Sequence, residues 1–216
     1  MRGPVACLLV LVILGVAMAQ SPQAAEPPPH EQLNAVLWMQ RAPEYRANAL
    51  QTWRAAMAAL PQVTAVGSAA LEQESTPAAV LDNSVYQAGL IRAGQKFDPA
   101  SWSSWVQTAS STAIPGALEF VQAARAAGHR VLFVTNRDCL NVPTAAEDRC
   151  PQLTATMRNL DLLGFPDALQ PDNYFFLGAR PEWATSSKTL RRASIATQYR
   201  IVMLVGDDLG DLVDQS

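Results

Sequence analysis

The chain has 216 residues, 49% of them apolar and 16% charged, with a net charge of −3. That is enough chain for one domain with a real core, and a mildly acidic balance with only short arginine-rich stretches argues against a nucleic-acid partner. Residues 1–19 read as a secretory signal peptide. Arg2 supplies the positive start, Cys7 to Val16 the apolar run, and Ala17-Met18-Ala19 a small-x-small cleavage site before Gln20. The run is too short for a membrane anchor. The expectation is an exported protein, periplasmic or secreted, with no membrane attachment after cleavage. Residues 20–30, rich in Pro and Gln, read as a flexible leader, and residues 31–216 as the folded domain.

Leu33–Gln40 and Tyr45–Leu60 have helical patterns separated by Pro43. In the second, Leu50, Trp53, Met57 and Leu60 recur at three- and four-residue steps. Pro77–Leu81 is a short apolar run that ends at Asp82-Asn83-Ser84. Tyr86, Phe97, Trp102 and Trp105 follow, an aromatic group that serves either as core or as a binding surface. Pro115 opens a helix that Gly128 closes. Arg130–Thr135 predicts a buried strand ending in the polar trio Thr135-Asn136-Arg137. Leu153–Leu163 is helical with Gly164 as its stop, Tyr174–Leu177 is a short strand, and Ser187–Thr197 is a helix that carries Lys188, Arg191 and Arg192. Alternating strands and helices with short connections predict an α/β fold, a doubly wound parallel sheet with helical N-terminal segments.

Cys139 and Cys150 are the two cysteines left once Cys7 is removed with the signal. An even pair in an oxidising compartment predicts a disulfide, and no His stands nearby to suggest a metal.

The last strand, Ile201 to Val205, has five apolar residues in a row, as suits a strand buried on both faces of a parallel sheet. It stops at Gly206, and Asp207, Asp208 and Asp211 follow. Open α/β sheets place ligands at the carboxyl ends of their strands. Carboxylates gathered there repel unless a cation joins them, and hard oxygen ligands favour Mg²⁺. A Gly-Asp turn with helix-capping acids is the competing reading. Thr135, Lys188, Asp207 and Asp211 all fall at strand ends of one sheet. A hydroxyl, an ammonium and a carboxylate-held Mg²⁺ would together clamp phosphoryl oxygens.

Seven stretches carry a resemblance: NAVLWMQRAPEYRANALQTW, LDNSVYQ, FDPASWSSWV, IPGALEFVQAARAAGHRVLFVTNR, NLDLLGF, KTLRR and IVMLVGDDLGD. In this order they resemble the class C acid phosphatases, bacterial enzymes of the haloacid dehalogenase (HAD) superfamily that include 5′-nucleotidases. The resemblance implies a HAD-like sheet with a helical cap and Mg²⁺-dependent hydrolysis of phosphomonoesters, nucleotides among them. It implies that Thr135 and Lys188 contact phosphate, with Asn136 and Arg137 beside the substrate. Asp207 and Asp211 would bind the metal, and Trp102 would stack on a nucleobase.

One departure weighs against that activity. The family carries Asp-x-Asp-Glu-Thr between its first buried strand and LDNS; the first Asp attacks phosphorus and the second protonates the leaving oxygen. Here Ala78-Ala79-Val80 runs straight into Leu81-Asp82-Asn83-Ser84. Asp82 follows an apolar run and is a candidate nucleophile, but it matches the structural aspartate of LDNS, and Ser84 stands where the acid is needed. The expectation is therefore a phosphatase-family protein with crippled turnover and weakened Mg²⁺ binding. The alternatives are a phosphate- or nucleotide-binding protein without catalysis and a weak phosphatase using Asp82. The sequence stops at Ser216, where the resemblance leads one to expect further strand, helix and a second stacking aromatic.

Overall fold

The structure, a computed structural model, describes residues 30–60, 69–74, 79–140 and 147–213. The predicted signal peptide, leader residues 20–29, and Pro77 and Ala78 of the apolar run lie outside the described residues. In chain order the elements are α1 (His30–Arg41), α2 (Pro43–Ala59), β1 (Ala69–Glu74), β2 (Leu81–Asp82), α3 (Ser84–Ala93), α4 (Pro99–Gln107) and β3 (Thr112–Ala113). They continue with α5 (Ala117–Ala126), β4 (Arg130–Asp138), α6 (Pro151–Leu162), β5 (Tyr174–Leu177), α7 (Thr189–Ala196), β6 (Arg200–Leu204) and α8 (Leu209–Leu212). Among the described residues no helix is long and apolar enough to cross a membrane.

Four strands form one parallel sheet in the order β5-β4-β1-β6. β4 carries five consecutive buried residues, Val131 to Thr135, and their alternating side chains explain why both faces are covered. Val131 and Phe133 point into one core with Trp53 of α2, Phe120 and Val121 of α5, and Leu160 of α6. Leu132 and Val134 point into the other, with Phe175, Trp183 and Ile195 of α7. Successive strand residues face opposite sides, so a continuous apolar run requires helices on both. Sheet and helices thus give the HAD-like α/β fold expected from the sequence. Pro43 takes the first turn of α2, where its missing N–H costs no bond. Trp53 of that helix lies 4.9 Å from Phe120 between ring centroids, which docks the N-terminal helices on α5.

The central slot is filled by Ala69–Glu74, a segment to which the sequence reading assigned no element. Ala70 to Glu74 pair in parallel register with Arg130 to Val134, and the other edge of β1 takes β6. Ala79 and Val80 form a turn, and Leu81 with Asp82 pairs antiparallel to Thr112 and Ala113 in a separate two-stranded sheet. The physical reason is length. The apolar remnant before Asp82 is too short to span the sheet, while β4 and β6 each present a row of backbone groups that needs a partner between them. One sequence expectation needs correcting, and it concerns β6. It ends the strand order, and Ile201 to Val205 are only half-buried. An apolar run does not distinguish an interior strand from an edge strand: Ile201 packs against one core and Val202, Met203 and Val205 against the other, yet all stay half-buried.

Candidate active site

The carboxyl end of the sheet gathers the expected residues from three segments. β4 delivers Thr135, Asn136 and Arg137, the turn before α7 delivers Lys188, and the loop after β6 delivers Asp207, Asp208 and Asp211. All but the buried Thr135 line two adjoining hollows that share Asn136. One is a polar cleft of about 410 Å³, walled by Ser186, Ser187, Lys188 and Thr189 on one side and by Asp207, Asp208 and Asp211 on the other. The second is a more apolar pocket of about 440 Å³ between α1, α3 and α4, with Val36, Met39, Phe97 and Trp102 as walls and Asn83, Gln87 and Arg137 as polar groups.

In the cleft, Lys188 is ion-paired with Oδ1 of Asp211, and each residue is only 3% exposed. The other oxygen of Asp211 accepts from the backbone amides of Asp207 and Asp208, both at 3.3 Å. Asp208 Oδ1 accepts from the amide of Gly210 at 2.7 Å. Gly206 permits this packing: a Cβ there would come within 2.5 Å of the Asp211 Cβ and 2.8 Å of its Oδ2. Arg192 adds a bond from Nη1 to the Asp211 carbonyl at 3.0 Å. Asp211 is therefore a clasp that folds the loop back on itself and fixes the Lys188 ammonium.

That geometry limits what the expected metal pair can offer an ion. Of the expected pair Asp207 and Asp211, the second has both carboxylate oxygens engaged, by an ammonium and by two amides. Asp207 and Asp208 come from one loop, whereas Mg²⁺ needs near-octahedral oxygens. Among the described residues, no group of three or more acidic, His or Cys side chains is placed to hold an ion. The donor set present does not fit Mg²⁺.

Asp82 stands apart from the end of β1. Its Oδ1 accepts from the Ser84 amide at 2.7 Å, the turn that starts α3. Ser84 itself is buried and its hydroxyl accepts from Gln40 at 3.2 Å. The charges of Asp82 and Asp207 both reach Tyr45 of α2. Burial foremost, then the charges of Asp82 and Asp207, push that phenol up to about 12.

Arg137 is held among neutral groups and is 1% exposed. Its Nη1 donates to Thr156 Oγ1 at 2.7 Å and its Nη2 to Asn83 Oδ1 at 3.3 Å, while Nε has no partner. Burial lowers its pKa from the ordinary arginine range to about 9. The guanidinium carbon lies 5.7 Å from the centroid of Trp102, whose ring also stacks on Trp105 at 5.3 Å. The aromatic group is both core and wall: Tyr86 is buried beneath it and Phe97 stays 53% exposed. Thr135 is buried, and its Oγ1 accepts from the Arg137 amide at 3.1 Å. A disulfide joins Cys139 and Cys150 and ties the end of β4 to the start of α6.

Sequence reasoning assigned no role to Arg191. It is fully buried and binds the Thr135 carbonyl, Asn136 Oδ1 at 2.7 Å, and the carbonyls of Ser186 and Ser187 at 3.1 Å. It thereby joins the end of β4 to the loop that carries Lys188. Its position three residues after Lys188, on the same helix face, was the available signal.

A family model described as HAD superfamily, subfamily IIIB (acid phosphatase), matches residues 78–216. The chain belongs to that family. Two solved structures of the class C acid phosphatase from Bacillus anthracis, one with tungstate bound, superpose with a TM-score of 0.69 at 28% identity. Each match covers 84% of this chain and 70% of that one. Phosphatases of the superfamily generally use a divalent metal and act on phosphate esters of small molecules.

Proposed function

We propose that this protein is an exported member of the acid phosphatase family that binds phosphomonoesters and hydrolyses them at or near the uncatalysed background. The observation that carries this reading is the end of central strand β1. The strand stops at Glu74, and from there to α3 the single carboxylate in the sequence is Asp82, which is tied to the Ser84 amide in a separate small sheet. A covalent route needs a carboxylate aimed at phosphorus and an acid for the leaving oxygen. Ser84 offers a buried hydroxyl, a poor proton donor near neutral pH. Positioning groups without an attacking group retain only a small part of a catalysed rate.

What remains favours binding. Lys188, with the hydroxyls of Ser186, Ser187 and Thr189, faces the cleft where a phosphoryl group would sit, and Arg191 holds Thr135 and Asn136 beside it. Tungstate, a tetrahedral oxyanion, is the group held by the Bacillus anthracis enzyme. The leaving group would enter the apolar pocket, with Trp102 as the face for a ring such as a nucleobase. Export rests on the sequence of residues 1–19 and is compatible with the Cys139–Cys150 bond. Mass spectrometry of exported material should find Gln20 at the N-terminus; an intact Met1 there would refute it.

The deciding assay is hydrolysis of a generic aryl phosphate with Mg²⁺ and with a chelator. Background rates are expected in both. An ordinary rate that survives Asp82→Asn and Glu74→Gln would overturn the reading. An ordinary rate abolished by Asp82→Asn would establish the second reading, a phosphatase working through Asp82, which the shared influence of Asp82 and Asp207 on Tyr45 favours. Inserting Asp-x-Asp-Glu-Thr between Val80 and Leu81 should restore Mg²⁺-dependent turnover if nothing else is lacking.

A further inference from the structure

A third hollow, of about 480 Å³, opens at the amino ends of the strands, with Arg125, Arg130, Asp167, Gln170, Asn173 and Tyr199 in its wall. Arg130 opens β4, Asn173 immediately precedes β5 and Tyr199 immediately precedes β6, so three parallel strands bring these side chains to one edge. From Arg130 to Thr135 the strand runs five residues, about 16 Å, which separates this hollow from the cleft. Its charges do not balance. The one carboxylate, Asp167, is ion-paired with Nε of Arg125, whose Nη1 donates to the His129 carbonyl at 3.2 Å. Arg130 meets only neutral groups: Nε donates to Asn173 Oδ1 at 2.8 Å and Nη1 to the Tyr199 hydroxyl, and the guanidinium lies 5.2 Å over the Tyr199 ring. Among the described residues nothing accepts from Arg130 Nη2, nor from the Tyr199 hydroxyl, which itself accepts from Arg130. We propose that this hollow is an oxyanion site that takes a tetrahedral phosphate-type anion, free or as a small monoester, on Arg130 and Tyr199 with Arg125 at the rim.

The competing reading makes Arg130 a fastener between the start of β4 and the segments before β5 and β6. That role uses Nε and Nη1 alone and leaves one net positive charge in the hollow. The partners that aim Arg130 are themselves held. Asn173 is buried, and its Nδ2 donates to the Asp167 carbonyl at 3.4 Å, which also accepts from the Gln170 amide at 3.1 Å. The guanidinium is thus fixed before any ligand arrives, and an anion would spend little of its binding energy on ordering it. The open donors come from separate segments: Arg130 from β4, the Tyr199 hydroxyl from the turn before β6, and the Arg125 guanidinium from the last turn of α5. Donors that converge from three sides suit an anion with oxygens on every side better than a planar carboxylate, which presents two. Asp167 occupies the Arg125 side, so the anion belongs nearest Arg130.

This inference does not rest on the proposed function, and one experiment separates the two. The full chain in metal-free buffer is titrated at constant ionic strength with inorganic phosphate, methyl phosphate and acetate, and followed by its backbone and arginine Nε–H magnetic resonances. Phosphate should shift the signals of Arg130, Asn173 and Tyr199 saturably, and acetate should bind there at least fivefold more weakly. A response to phosphate alone identifies the free anion as the ligand, and a response to methyl phosphate as well admits the monoester; either upholds the site. The signals of Asn136, Lys188 and Asp207 report the cleft on their own, so a silent cleft counts against the proposed function and leaves this site standing. Arg130→Met should abolish the saturable shifts of Asn173 and Tyr199 while the cleft responds as in the native chain, and Arg130→Lys should keep part of the affinity. Tyr199→Phe keeps the ring and removes one donor, and should weaken phosphate about threefold or more. Shifts confined to the cleft overturn the proposal. So do equal binding of acetate or undiminished binding in folded Arg130→Met. Should Arg130→Met fail to fold, Tyr199→Phe and the phosphate-to-acetate ratio of the native chain decide.

Discussion

The cleft and the aromatic pocket meet at Asn136, yet each handles its buried charge differently. In the cleft a cation and an anion, both nearly inaccessible, are paired, and the anion is bonded further to two backbone amides. In the pocket a cation equally buried faces only neutral oxygens. The first arrangement is charge-balanced: it locks the acidic loop and leaves Lys188 to reach a phosphoryl oxygen only through its remaining N–H donors. The second is incomplete, so the same degree of burial carries opposite meanings. Paired charge at depth reads as structure, and unpaired charge at depth reads as a seat for something else.

The largest expected effect tests the first half of that contrast. Lys188→Met strips the counter-charge from Asp211 and should cost about 3–5 kcal/mol of stability, read by chemical denaturation. The double variant with Asp211→Leu should recover much of that loss, because no lone charge is then left buried. A single-variant cost below about 1 kcal/mol would mean that the pair is open to water, and the cleft would again be a candidate for a free ammonium.

Arg137→Met tests the second half and should be far milder, within about 1 kcal/mol of the native chain, since removing an uncompensated buried charge is often neutral or stabilising. Neither partner is orphaned: Thr156 Oγ1 still donates to the Gln152 carbonyl at 2.7 Å and Asn83 keeps Ser111. The pH dependence gives the sign. With the native pKa lowered to about 9, the unfolded chain binds more protons from about 9 up to the ordinary arginine range, so this group makes stability rise with pH across that window. Its destabilising contribution is fully present below 9. A loss as large as that of Lys188→Met would show Arg137 to be an ordinary structural tie.

The sequence announced much of this end of the sheet and misjudged how its parts engage one another. β4 was legible because Val131 to Val134 are all apolar and a proline and a glycine bracket the preceding helix. β1 was not: AALEQE reads as polar helix, and it becomes a strand because β4 and β6 leave a gap that only a strand fills. Lys188 and Asp211 were each identifiable as site residues. That they neutralise each other, and so remove Asp211 from any metal set, depends on a contact across 23 positions that no local pattern encodes. Arg191 and Tyr45 lie on helices whose polar residues ordinarily face water, so their roles had no signal beyond spacing.

The smallest expected effect concerns a phenol that senses a carboxylate from each side of the site, Asp82 and Asp207. Tyr45 is held neutral by burial and then by Asp82 and Asp207, with its pKa pushed up to about 12. Because the folded value lies above the ordinary 10, its contribution to stability is complete below pH 10 and is lost as pH rises through 12. Phenolate absorbance should show one tyrosine titrating near 12 that disappears in Tyr45→Phe. In Asp82→Asn with Asp207→Asn the same phenol should titrate somewhat earlier, but still late, because burial is the larger cause. If the double substitution leaves the titration unmoved, Asp82 does not act on the ground occupied by Asp207. The case for Asp82 as a residual nucleophile would then lose the one observation in its favour, whereas a clear shift would keep the carboxylate close enough for Asp82→Asn to be a meaningful test of turnover.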